Sequence, residues 1–322
     1  MAIPYDAVLI VGFGGPEGHD DVMPFLENVT RGRGVPRERL LAVAEHYHHF
    51  DGRSPINDQV RELIAALKTV LEREGPALPV YWGNRNWHPM LADTVRQMRD
   101  DGVKHSVAIA TSAFSSYSGC RQYRENIAEA QAAVGDGAPR IDKIPPYWHH
   151  DGFITAMAVN VRAALAEVPA AAELIFTAHS VPMSMAVTSR YEEQLREASR
   201  KIAERAGHAR SSLVWQSRSG PPTQPWLEPD IVDYLRARPD RSPVVIAPVG
   251  FLSDHIEVLW DLDHEAREAC EELGIPMARA ATVGTDPRFI AALRDLILTP
   301  LTPCAADCCP APVRPAAPAA RG

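Results

Sequence analysis

Six short apolar runs punctuate the chain: Ala7–Val11, Val80–Trp82, Val107–Ala110, Leu174–Phe176, Leu213–Trp215 and Val244–Ala247. They are β-rich, nearly uninterrupted, and end in turn residues. Continuous rather than alternating apolarity marks strands buried on both faces. Between them lie helical patterns, over Asp58–Glu74, Leu91–Asp100, Tyr123–Val134, Phe153–Glu167, Tyr191–Ala206 and His255–Leu273. This alternation predicts an α/β protein built on parallel sheets.

Ile144-Pro145-Pro146 is the best boundary, because two prolines cannot sit inside a helix or a central strand. It divides the chain into an α/β half over residues 1–146, a second over 147–299, and a tail over 300–322. The halves echo each other. Leu9–Pro16 (LIVGFGGP) and Leu174–Pro182 (LIFTAHSVP) are each a strand, a small-residue turn and a proline. Ile109–Ser116 (IATSAFSS) and Ile246–Ser253 (IAPVGFLS) align Ile, Ala, Phe and Ser in register. At these lengths chance and an internal repeat both explain the match. A repeat would put the four turns at equivalent carboxyl ends of strands, where open α/β sheets bind ligands. The ligand would then lie in a cleft between the halves.

The composition, 46% hydrophobic and 23% charged over 322 residues, excludes wholesale disorder and fibrous repeats. A net charge of −8 disfavours nucleic acid and acidic lipid as partners. No apolar run reaches the 18 or so residues of a membrane helix. Ala7–Val11 is too short for a signal peptide and lacks a basic flank. The expected location is the cytoplasm, where five cysteines do not read as a disulfide framework. Three of them fall in a tail with six prolines after Leu298. That tail cannot bury enough surface to fold unaided, and disorder is expected beyond Pro310.

Five constellations carry candidate chemistry. Gly12-Phe13-Gly14-Gly15-Pro16 fails the dinucleotide fingerprint, since Glu17 takes the last glycine position; it reads as a tight turn allowing close approach to a ligand. His179 follows a strand and precedes Val181-Pro182. A neutral imidazole there ligates a metal or accepts a proton, or else serves as a structural turn residue. Glu257, Asp261 and Glu265 stand at i, i+4 and i+8, near one helix face and about 12 Å long. At the end of a strand, this line of oxygens would pass a divalent cation or protons inward. Arg31, Arg33, Arg37 and Arg39 suit carboxylates or phosphates, or form a solvated basic loop. Cys304, Cys308 and Cys309 lack zinc spacing. An iron–sulfur cluster usually takes four thiolates, and the fourth would be Cys120 or Cys270. The run His46-Tyr47-His48-His49 hints at metal delivery but reads better as a solvated polar face.

Together these segments resemble the ferrochelatase family, the enzymes that insert ferrous iron into a porphyrin. The resemblance runs from Ala7 to Leu298. It rests on GFGGP, on Gly52-Arg53-Ser54-Pro55, on Thr177–Pro182, on Val214-Trp215-Gln216-Ser217 and on Pro248–Asp261, in the family's order. It implies a chelatase-like α/β fold, two similar Rossmann-like halves around a porphyrin cleft. It also implies that His179 and Glu257 bind Fe2+ or take pyrrole protons, with Asp261 and Glu265 continuing the acidic line. Trp215, Phe13, Arg31, Arg33, Ser54 and Tyr123 match positions that touch the macrocycle or its propionates. Some Gram-positive relatives have tyrosine where Phe13 stands, so no axial phenolate is available here. The actinobacterial type, which this chain resembles most, commonly holds a [2Fe–2S] cluster. Cys120, in SYSGCRQY, matches its internal ligand, alongside Cys304, Cys308 and Cys309. Cys270 then reads as a helix-packing residue.

The short, arginine-bearing interval from Pro16 to Gly52 favours coproporphyrin III, with its four propionates, over protoporphyrin IX. The product would be coproheme, passed to a downstream coproheme decarboxylase. His179 and Glu257 are expected to act from opposite faces of a bent macrocycle. A porphyrin or haem carrier without catalysis, and a cobalt or nickel chelatase, are the competing classes.

Overall fold

A computed structural model describes residues 4–220 and 223–312. The expected disorder beyond Pro310 falls, from residue 313 on, outside the described residues. All six apolar runs form strands, and two further short strands complete two four-stranded sheets. In the first sheet β1 (Ala7–Gly12) lies between β2 (Val80–Asn84) and β3 (His105–Ala110), with β4 (Arg140–Lys143) at the edge beyond β3. In the second, β5 (Glu173–His179) lies between β6 (Ser211–Gln216) and β7 (Val244–Ala247), with β8 (Met277–Arg279) beyond β7. Every pairing is parallel. The strand order is the same in both sheets. The two echoed sequence pairs fall on equivalent strands, β1 with β5 and β3 with β7. The internal repeat is therefore real at the level of topology.

The central strands are sheathed by helices on both faces, which is why their apolarity is continuous. All six residues of β1 are buried, as are the four of β7. The main core runs through both sheets, from Val8 and Ile10 to Phe176 and Trp215. The helix Pro287–Leu298 packs on Ile56–Glu74 of the first sheet's flank and on Asp151–Leu165. A smaller cluster lies where the halves meet. Val22, Phe25, Leu40 and Tyr47, from the helices His19–Val29 and Arg37–His49, pack with Ile256.

The expected helix His255–Leu273 is three pieces. A short turn Ile256–Val258 opens into a π-helical stretch Leu259–Glu265, and an α-helix Ala266–Leu273 follows. A second π-turn, Tyr117–Arg121, precedes the helix Gln122–Val134. Such widened turns are rare and often accompany functional sites. Four residues overshoot one turn of an α-helix and fall short of one π turn. A mixture of the two turn types suits a repeat of four residues such as Glu257, Asp261 and Glu265. Among the described residues, no helix is long and apolar enough to cross a membrane.

Candidate active site

β5 ends at His179, whose register partner is Gln216 at the end of β6. Chain reversal follows through Ser180, Val181 and Pro182. Ser180 Oγ donates to the Leu227 carbonyl (2.8 Å) and Leu227 N–H to the Val181 carbonyl (3.1 Å), which fixes the turn. His179 Nδ1 lies 2.5 Å from the Ser180 carbonyl oxygen. A carbonyl only accepts, so Nδ1 carries the proton and Nε2 is left facing Glu257. The Tyr191 hydroxyl donates to the His179 carbonyl at 3.1 Å.

His179 Nε2 and Glu257 Oε2 are 3.8 Å apart. That distance corrects the expectation of opposite faces. A macrocycle needs about 3.5–4.0 Å of carbon contact on each side, so both groups belong to one wall. His255 Nδ1 approaches the same Glu257 oxygen at 3.9 Å. Burial opposes ionisation of Glu257, but His179, His255 and His46 outweigh it and hold its pKa down at about 2. Burial likewise works against the His179 imidazolium, and the Glu257 carboxylate overcomes it, raising the pKa. His255, with less compensation, is lowered by burial.

Asp261 behaves differently. Burial pushes its carboxyl up to about 7, aided by Glu257 and Glu265 and opposed by hydrogen bonds from Ser217 and Gln216. Ser217 Oγ donates to Asp261 Oδ2, and Gln216 Nε2 donates to the same oxygen at 3.2 Å. Ser217 has φ +60°, an uncommon conformation for a residue with a side chain. Glu265 is exposed. The three carboxylates thus run from an ionised group beside His179, through one poised near neutrality, to solvent. The three carboxylates read from sequence lie within electrostatic reach of one another, Asp261 between the other two.

The loop before this segment is clamped. Arg279 of β8 makes two bonds of 3.1 Å to Asp254 and one of 2.8 Å to Asp263. The Asp254 N–H donates to Gln59 Oε1 at 2.9 Å, tying it to the first half. His46 does not lie on a solvated face. Its ring stacks on Trp260 at 3.9 Å and 7°, and Tyr47 beside it is buried.

The other expected contacts divide. Phe13 is half-buried against Phe25, with the Arg85 guanidinium 5.7 Å over its ring. Arg31 and Arg33 are exposed between two helices. Ser54 is buried behind Gly15. Tyr123 is buried under Arg85, which sits 4.6 Å over its ring. Trp215 is only 1% exposed and packs near Tyr191. It is a core residue and not a pocket wall. The aromatic beside the His179 turn is Trp226, bridged to Pro182. It lies in a proline-rich loop with no strand pattern, so periodicity gave no signal for it. Arg85 was likewise unmarked by any motif.

The tail cysteines fold back onto the first half. Arg124 donates to the Ala305 (3.2 Å) and Ala306 (3.0 Å) carbonyls, and Arg121 to that of Cys308 (3.3 Å). Burial raises the thiol pKa values of Cys304 and Cys309, and both lie within electrostatic reach of Cys120 and Cys308, which adds to the rise. Lys143 Nζ is 3.4 Å from Cys120 Sγ. Among the described residues, no three His, Cys, Asp or Glu side chains converge tightly enough to hold one metal ion. Cys270 is buried in the core around β7, as a packing residue should be.

Residues 5–301 match the family model described as ferrochelatase. A ferrochelatase of Rhodopirellula baltica is 56% identical over 91% of this chain and 86% of its own length. A coproporphyrin III ferrochelatase of Mycobacteroides abscessus is 52% identical over 91% of this chain and 88% of its own. Among solved structures, CbiX, described as the terminal enzyme of sirohaem biosynthesis in denitrifying bacteria, aligns over 92% of this chain and all of its own. Its TM-score is 0.55 at 16% identity, a likeness of fold.

Proposed function

The chain belongs to the ferrochelatase family, and from that premise we propose that it inserts Fe2+ into coproporphyrin III to give coproheme. The observation that carries the reading is the His179–Glu257 pair at the carboxyl end of β5, backed by the acidic line. Exposed Arg31 and Arg33 support the choice of porphyrin, since guanidinium forks match propionates. The name of the Mycobacteroides abscessus relative supports it too. The divisions 1–146, 147–299 and 300–322 belong to the same proposal, supported by which strands share a sheet.

Insertion removes two pyrrole protons as the dication enters. Glu257, held ionised, offers oxygen to the cation. His179, its Nδ1 engaged, presents Nε2 to the same point. Protons leave through Asp261, whose pKa near 7 lets it take and release them at neutral pH. Phe13, Arg31, Arg33, Ser54 and Tyr123 line or support the macrocycle's side of the site. The reaction belongs in the cytoplasm, and its product suits a coproheme decarboxylase downstream.

The donor type of Cys120, Cys304, Cys308 and Cys309 suits a [2Fe–2S] cluster, and the nearby Lys143 and Arg124 would offset thiolate charge, but the thiols are not drawn together as a ligand set among the described residues. When bound, such a cluster supplies a one-electron centre and a staple for the tail. Iron and sulfide analysis of anaerobically purified protein, with Cys120→Ser beside it, tests this.

The deciding experiment supplies Fe2+ anaerobically with coproporphyrin III or with protoporphyrin IX and follows metalloporphyrin absorbance. Faster turnover of coproporphyrin III is expected. Preference for protoporphyrin IX would overturn the substrate assignment, and no insertion into either would favour a carrier.

A further inference from the structure

The helix Arg37–His49 brings two imidazoles, His46 and His49, onto Trp260 of the stretch that carries the acidic line. His46 stacks on Trp260, and His49 meets the edge of the same ring at 5.5 Å between centroids. His49 also lies 4.9 Å from the His264 ring, and His264 is 4.4 Å from Trp260. Trp260 and His264 alternate along the chain with Asp261 and Glu265. His46 lies within electrostatic reach of both Glu265 and Glu257. Imidazoles from two elements thus gather on Trp260, beside the stretch that carries the carboxylates, and His264 Nδ1 also lies 3.5 Å from Glu268 Oε1.

Carboxylates alone suit hard ions such as Mg2+ and Ca2+, whereas imidazole suits first-row transition metals. A purely acidic approach would fill with the commoner hard ions. A route that carries an ion also must not trap it. No three such ligands converge among the described residues, so an ion passing here would be held by no more than two protein groups at a time.

We propose that His46, His49 and His264 form the selective wall of the iron path, holding Fe2+ in preference to Mg2+ on its way to Glu257. The proposal rests on the chelatase reading and assigns the metal's route within it. His48 serves as the internal control. It lies on the same helix, but its Nδ1 is 2.9 Å from His19 Nδ1, away from Trp260.

The test is Fe2+ titration under anaerobic conditions at saturating coproporphyrin III, with and without excess Mg2+. His49→Ala and His264→Ala should each raise KM for Fe2+ about tenfold, the low end of what loss of a supporting group costs a metal site. Their kcat and porphyrin KM should hold, and Mg2+ should now inhibit. His48→Ala should match the wild type. An unchanged KM for Fe2+ in both variants overturns the proposal. Should an alanine variant fail to fold, His49→Gln and His264→Gln keep the packing on Trp260 and should show the same rise. Co2+ binding without porphyrin separates the two readings. Wild-type protein that inserts no iron, yet binds Co2+ more tightly than the two variants, overturns the chelatase reading and keeps the metal path. Equal Co2+ binding in all forms overturns the path.

Discussion

The two sheets share one strand order, yet the turns at the ends of their equivalent central strands differ in kind. β1 ends in glycines and β5 ends in His179. At Gly14 the backbone has φ +85°, and an added Cβ would lie 2.9 Å from that of Asn84. At Gly15 it would lie 2.7 Å from Ile56 Cγ2. The first turn is shaped to admit nothing beyond backbone, and the second to present a ring nitrogen. The halves therefore repeat in architecture and divide in labour. The first offers a close-packed surface with Phe13 and Arg85 beside it, and the second ends its central strand on the His179–Glu257 pair, with His46 of the first half within electrostatic reach of Glu257.

The comparison is broken most severely at β5. His179→Ala should cut the insertion rate by about 10²–10⁴-fold, the usual worth of a positioned proton-transfer group. Porphyrin binding, followed by fluorescence quenching, should persist, because the first half still supplies its surface. Loss of binding in step with rate would show that His179 holds the macrocycle and would erase the division of labour.

A smaller effect is expected at β1. In Gly15→Ala the new Cβ meets Ile56 and Ser54, both buried. Overpacking of this kind costs about 1–3 kcal/mol. Calorimetry should show a Tm lowered by about 2–4 °C per kcal/mol, and porphyrin KM should rise more than kcat falls. An unchanged Tm would mean that the glycine is there for the ligand alone.

The sheets were legible because strands buried on both faces need unbroken apolar runs. The edge strands β4 and β8 were not, because three or four residues bearing Arg140, Asp142, Lys143 or Arg279 carry no such run. His179 and the acidic triplet were marked as candidates by their place after strands and their spacing, and the resemblance to the ferrochelatase family, not position, implied their roles. Their shared wall was not, since periodicity places residues on a face but says nothing of how two segments approach. The same gap explains Trp215. An aromatic in a motif reads as either pocket or core, and only packing separates them. It explains His46 as well, because Trp260, its partner, lies more than two hundred residues away in the chain.

The smallest expected effect sits at Asp261 and sharpens the contrast between an ionised and a poised carboxylate. Its folded-state pKa is raised from 3.8 to about 7. Between those values the folded protein holds a proton that the unfolded chain has released. Linkage then requires stability to fall as pH rises through this window and to stay lowered above it. Asp261→Asn removes the penalty. The variant should match the wild type in Tm near pH 4 and exceed it at pH 8. Because the side chain is partly open to solvent, screening reduces the gain, and about 2–4 °C is expected. Glu257 has the opposite sign. Its pKa is lowered to about 2, so its stabilisation is present above the unfolded value and is lost as pH falls through the folded one. Asp261→Asn should also flatten the rise in insertion rate with pH around 7. A variant with a higher Tm at pH 8 and an unaltered pH–rate profile would leave Asp261 a buried carboxyl with no part in moving protons.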